Sequence, residues 1–170
     1  MLRTSASRLL VAAALASVLA ACSGEGASDT AASGAAAPAG DVPPVLKERH
    51  DNFEGIGDAF KAVRGELEKD APDFALIAAK AGDINTRAKL IETHFPAGTS
   101  VDDGYDTEAL ASIWQKPEEF KAAGQKLIDE SAKLMAVAGG GDKAATGAQA
   151  MVMGGACKGC HDQFRLDDKK

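Results

Sequence analysis

The residues best suited to chemistry lie together near the end of the chain, where Cys157, Lys158, Gly159, Cys160 and His161 form a C-x-x-C-H pentapeptide. Two thiols three apart share one turn of a helix, where each can add across a vinyl group of haem, and the adjoining histidine can reach the iron. A Cys pair alone would also suit thioredoxin-like redox chemistry or half of a zinc site. Redox use wants a strand-to-helix junction, and zinc wants two further ligands. Here the flanks have a helical pattern, no second Cys pair exists, and His50 and His94 lie far upstream without paired-histidine spacing. The spacing therefore favours one covalent c-type haem on Cys157 and Cys160, with His161 as the metal ligand.

The remaining cysteine, Cys22, closes a segment with basic Arg3 and Arg8 and an apolar run from Leu9 to Ala21. That run is too short and too Ala-rich for a comfortable membrane span and reads as a secretion signal. Leu19, Ala20, Ala21 and Cys22 resemble a bacterial lipobox, in which the cysteine becomes the lipidated first residue of the mature protein. Ordinary signal cleavage beside an unmodified Cys22 is the competing reading, since small residues satisfy that peptidase too. With two thiols assigned to haem and one to lipid, no disulfide is expected even in an oxidising compartment. From Ser23 to Gly40 no large apolar residue is available to bury, so this stretch is a tether. As a flexible coil of about eighteen residues it would span roughly 20–25 Å. The expected organisation is a lipoprotein-type signal over 1–21, lipidated Cys22 and tether over 22–40, and one folded domain over 41–170. The expected place is the periplasmic side of a bacterial membrane, with the outer membrane favoured.

The formal charge of −6 becomes two units more negative once Arg3 and Arg8 leave with the signal. This argues against nucleic acid and against basic-patch adhesion to anionic lipid, so membrane association falls to the acyl chains. The acidic balance serves solubility; steering of a basic redox partner is the alternative use.

The folded part reads as an up-down-up-down bundle of four amphipathic helices with hardly a strand signal. The first runs from about Val45 to Leu67, with Val45, Arg49, Phe53, Ile56, Phe60, Val63 and Leu67 inward at alternating spacings of four and three. Arg49 is out of place on such a stripe. The second, announced by Pro72 and Asp73 and ending at Phe95-Pro96, turns Phe74, Ile77, Ala81, Ile84, Ala88 and Ile91 inward. A long connection comes next, rich in turn formers but carrying Leu110, Ile113 and Trp114, so part of it must pack. Pro117 opens the third helix, with Phe120, Leu127, Leu134 and Val137 inward, and Gly139 to Gly141 close it. Asp142 caps the fourth, whose inward residues are expected to be Ala145, Ala148, Val152, Ala156 and Phe164.

The haem motif at the end of the fourth helix, the "CHDQFR" ending, the "IWQKPEEF" entry to the third helix and the "FPAGT" after the second resemble cytochrome c′, the class II c-type cytochromes. So does an Arg with an apolar residue four positions beyond it on the first helix. The likeness runs from about Val42 to Arg165. It implies an all-α, antiparallel four-helix bundle enclosing the haem, with the iron's sixth side facing the first helix. It also places Arg49 beside the haem propionates. Where the family usually has glutamine after that arginine, this chain has His50, a departure that bears on the propionate hydrogen bonds. At the position of Phe53, six-coordinate electron-transferring relatives carry an iron-binding methionine, which phenylalanine cannot replace. Arg165 matches a basic residue near the axial histidine, able to hydrogen-bond on that side or simply to cap the helix.

The expectation is thus a five-coordinate haem that binds NO and, more weakly, CO, in protection against nitrosative stress, and not an enzyme. Bound O₂ needs a hydrogen-bond donor that Phe53 does not supply. An electron-transfer c-type cytochrome is the alternative. Met135, Met151, Met153, His50 and His94 are the rival sixth ligands, with His94 expected at the surface. A homodimer is an open expectation of the resemblance. On this reading Cys22→Ser releases the domain into the soluble periplasmic fraction; unchanged membrane fractionation would mean that something else anchors it.

Overall fold

The computed structural model describes residues 41–167, and the signal, Cys22 and tether lie outside the described residues. Helix α1 spans Pro44–Glu68, started by a proline whose missing N–H is no loss in a first turn. Its last turn is tied down by buried Glu66, which accepts from Lys69 Nζ at 2.6 Å and from the Asp73 amide at 3.1 Å. Lys69, and then that amide, hold the Glu66 carboxyl below its ordinary pKa. Asp73 caps α2, Phe74–Ala88, by accepting from the Leu76 amide at 3.0 Å. The second helix ends about two turns before the expected Phe95. The chain continues as a 3₁₀ turn, Glu92–His94, that still buries Ile91.

The connection packs as expected. Ser100 and Asp103 form a capping box for a second 3₁₀ turn, Val101–Asp103, and Gly104 closes it at φ 87°, a left-handed conformation that glycine adopts without strain. A short helix, α3 (Ser112–Gln115), buries Ile113. Helices α4 (Pro117–Ala138) and α5 (Lys143–Phe164) are the expected third and fourth, joined by a glycine turn in which Gly141 has φ 71°.

Buried Ile77, Ile84, Leu134, Val63 and Met153 make the centre of the core. Each such side chain contributes about 1.5–3 kcal/mol by leaving water. Polar bridges fix the pairs: Asn52 Nδ2 donates to the Arg87 carbonyl between α1 and α2. Asn85 Nδ2 donates to the Ile128 carbonyl between α2 and α4, and Gln149 Nε2 to Glu130 Oε2 between α4 and α5. Among the packed pairs of the four long helices, α1 and α5 touch each other least.

Five inward assignments need correction. Leu46 is buried in place of the expected Val45, and Ala138 in place of Val137. On α5 the buried face is Thr146, Ala150, Met153 and Ala156, while Ala145 and Ala148 are exposed and Val152 is 51% exposed. That face is set by the last turns of the helix, where Cys157, Cys160 and Phe164 pack on the core. Thr146 can be buried because its hydroxyl donates to the Asp142 carbonyl at 2.6 Å.

Candidate functional site

Between α1, the connection, α4 and the last turns of α5 lies a cavity of about 980 Å³. That is the upper end of the ~300–1,000 Å³ usual for small-molecule and cofactor sites. Asp142 starts α5, and its straight run delivers Cys157, Cys160 and His161 to the cavity wall. Both cysteines are free and half-buried. Burial pushes the Cys157 thiol up, and pushes Cys160, next to Cys157, up to about 11. This is the reverse of the depressed pKa of a reactive redox Cys pair. Burial, and then Arg165, lower the pKa of His161, so its imidazole is neutral at neutral pH, the form that ligates metals.

Arg165 ends α5 in extended conformation. Its amide donates to the His161 carbonyl at 3.1 Å, and Nε and Nη2 form a bidentate pair with Glu108 at 2.5 and 2.6 Å. The backbone thus does the capping and the guanidinium is held beside the cavity. Strand-like bonds stitch this end to the connection: the Leu166 amide donates to the Glu108 carbonyl at 2.8 Å and the Leu110 amide to the Phe164 carbonyl at 3.1 Å.

Arg49 departs from its expected setting. Where the resemblance implies an arginine paired and partly solvated at a haem edge, Arg49 is only 5% exposed. Nε donates to the His94 carbonyl at 2.9 Å, Nη1 to the Thr99 carbonyl and Thr107 Oγ1 at 3.0 and 3.2 Å, and Nη2 to Thr99 Oγ1 at 2.6 Å. The guanidinium also lies 4.1 Å from the centre of the Phe95 ring. Burial alone lowers its pKa, to about 10, so it stays charged at neutral pH. Among the described residues no carboxylate is within ion-pair range of it. Of its five N–H groups one on Nη2 is left over, on a side chain that lines the cavity.

One turn further along α1, half-buried Phe53 lines the cavity. Its ring meets Phe95 edge-on at 6.2 Å, Phe95 meets Phe120 at 4.9 Å, and Phe120 meets Phe164 at 5.3 Å. This aromatic chain runs from α1 through the connection to α4 and α5. The sequence hinted at it only through Phe residues on inward stripes, because edge-on pairing depends on contacts between distant segments.

Of the rival ligands, Met135, Met151, Met153 and His94 do not line the cavity. Met153 is core, Met151 is 78% exposed, and exposed Met135 lies against Gly82. His94 is half-buried, contrary to the expected exposure, because its carbonyl is drawn in by Arg49. His50 does line the cavity, at its exposed rim, with Nε2 4.0 Å from Glu54.

A family model described as Cytochrome C' matches residues 44–165. The chain belongs to the cytochrome c′ family. It is 37% identical to cytochrome c′ of Cereibacter sphaeroides over 78% of this chain and 89% of that protein. The solved cytochrome c′ of Rubrivivax gelatinosus is 36% identical with a TM-score of 0.62, over 71% of this chain and 94% of that one. A nitric oxide complex of a mutant cytochrome c prime from Alcaligenes xylosoxidans is 28% identical with a TM-score of 0.65, over 74% and 95%. Members of the family are four-helix bundles that carry one covalent c-type haem.

The cavity fits that group. Two thiols and a neutral imidazole stand on one wall, a buried cation without a carboxylate stands on another, and a Cβ added at Gly57 or Gly124 would meet only open space. A flat plate can approach the backbone at both glycines.

Arg49→Leu keeps the bulk but leaves the His94 and Thr99 carbonyls without donors. We expect a loss of about 2–5 kcal/mol in urea unfolding, with faster amide exchange at Val101, Asp103 and Gly104. Unchanged exchange there would mean that Arg49 does not hold the connection.

Proposed function

We propose that this chain is a periplasm-facing, lipid-anchored haem protein that takes up NO and, more weakly, CO on an iron held by the protein from one side, in protection against nitrosative stress. The observation that carries the reading is the α1 wall of the cavity, where the side chain one turn beyond Arg49 is a phenyl ring with no lone pair and no donor. A c-type haem, when bound, supplies an iron able to take a diatomic ligand and to pass an electron. Cys157 and Cys160 would hold it through thioethers, and His161 would present its neutral imidazole. Arg49 would offer its spare Nη2 hydrogen to an anionic edge, and Arg165, held and largely neutralised by Glu108, would stand as a fixed polar pair on the histidine side.

Phe53 would face such a group from the α1 wall with apolar bulk. A wall of this kind disfavours O₂, which needs a hydrogen bond, far more than NO or CO. The solved nitric oxide complex of a relative supports the same ligand class. The electron-transfer reading wants a second strong ligand. His50 is the one other imidazole on the wall, but it sits at the exposed rim beside Glu54.

Replacing Cys157 and Cys160 together by Ala should give a chain whose mass lacks haem and whose colour, if any, is removed by acid–acetone. Covalent haem in that variant would refute the attachment. Phe53→Met supplies a thioether of similar bulk. It should turn a high-spin spectrum toward low-spin and slow CO association by about tenfold or more, a rise of ~1.4 kcal/mol in the barrier. A wild type that is already low-spin, or a variant with unaltered spectrum and kinetics, would remove Phe53 from this role.

A further inference from the structure

We propose that a second, apolar groove on the α1–α5 seam is a holding and entry site for small uncharged gases, and that Phe60 is the gate between it and the main cavity. The inference rests on the gas-binding reading above. The groove is open to solvent and has a volume of about 380 Å³. Leu67 and Phe60 come to it from α1, and Ala150, Met151 and Gly154 from α5. Its charged members, Arg64 and Glu68, are both exposed. Such a lining gives a polar or ionic ligand few fixed partners, whereas an apolar diatomic or a noble gas loses nothing by leaving water for it.

Phe60 belongs to both walls, that of the groove and that of the main cavity. It stands two turns along α1 from Phe53 on the same inward stripe, so the space behind it leads along the helix that carries the phenyl wall. What lets the ring stand there is a missing side chain on α5. A Cβ built at Gly154 would come within 3.3 Å of Phe60 Cζ, tighter than an ordinary contact. Gly154 lies one turn before Cys157, so the ring rests directly below the thiol wall. Among the packed pairs of the four long helices, α1 and α5 touch each other least. The half-buried ring packs on the core from one side and on glycine backbone from the other, so the gate is a single side chain whose size sets the opening.

The test uses the haem-loaded protein and two probes. Xenon, which needs no iron, should shift the methyl resonances of Ala150 and Met151 in the wild type. Carbon monoxide recombination after flash photolysis should speed up by about tenfold in Phe60→Ala and slow by a similar factor in Phe60→Trp, with the spin state unchanged in both. Phe60→Leu replaces Ala should that variant fail to fold, and should lie between wild type and Ala. Gly154→Ala should slow recombination by pressing the ring into its closed position. The proposal is overturned if xenon leaves both methyls unmoved, or if the Phe60 variants all stay within about twofold of wild type. It is overturned equally if these variants change the sedimentation coefficient and leave the CO rates alone, for the groove is then a subunit interface. A wild type that binds no CO overturns the gas-binding reading, and the xenon shifts separate that failure from failure of the groove.

Discussion

Arg49 carries a charge into a place that water barely reaches, with no carboxylate among the described residues to meet it, and the cavity wall is arranged around it. Burying an unpaired cation is among the most expensive things a fold can do. The cost is met by main-chain and threonine oxygens of the connection and by the face of Phe95. Those oxygens belong to residues 94–107, a stretch with little regular structure of its own. Without a guanidinium to converge on, their carbonyls would turn to solvent. Arg49 therefore gives an irregular segment a single conformation, and that segment is one side of the site.

The same contact propagates through the aromatic rings. Phe95, held under Arg49, is the hub at which Phe53 and Phe120 meet, and Trp114 Nε1 donates to its carbonyl at 3.1 Å. Phe120 passes the contact to Phe164, one turn beyond the haem motif on α5. Edge-on pairs of this kind contribute about 0.5–1.5 kcal/mol each beyond burial. Their greater effect is geometric. They keep α1 at a fixed distance from the end of α5 across a space that neither helix fills. The bonds from Leu110 and Leu166 to the end of α5 do the same from the backbone side.

How much of this was legible in the sequence depends on how local the determining interaction is. The C-x-x-C-H spacing is a matter of one helical turn, and it stands where a pentapeptide alone would put it. Helices α1, α2 and α4 were readable because Phe, Ile and Leu recur at spacings of three and four, with proline or aspartate at the starts. Helix α5 was readable as a helix but not in its register. Alanine and glycine weigh too little to mark a face, and the helix is turned by Cys157, Cys160 and Phe164 so that Val152 points outward. Arg49 was visible as an anomaly, yet its partners lie 45 to 58 residues away, so its depth and its hold on the connection could not be read. The early end of α2 has the same origin, since the Arg49 bond to the His94 carbonyl favours a tight turn where the pattern alone would continue the helix.

Two cations face the cavity, and they differ in a way that orders its chemistry. Arg165 is matched by the two oxygens of Glu108, so its field inside the cavity is largely cancelled. Arg49 has only neutral partners, so its charge is felt by whatever occupies the space. On the reading proposed above, a group with an anionic edge and an uncharged centre would turn that edge toward the connection. Phe53, four residues beyond Arg49 and about 5–6 Å along the helix, lies where that pull has given way to apolar surface. A single helix thus carries, one turn apart, a buried charge and a phenyl surface on the wall of the same cavity. The two do not interfere, because the guanidinium is tied to the connection by four hydrogen bonds and is held away from the phenyl ring.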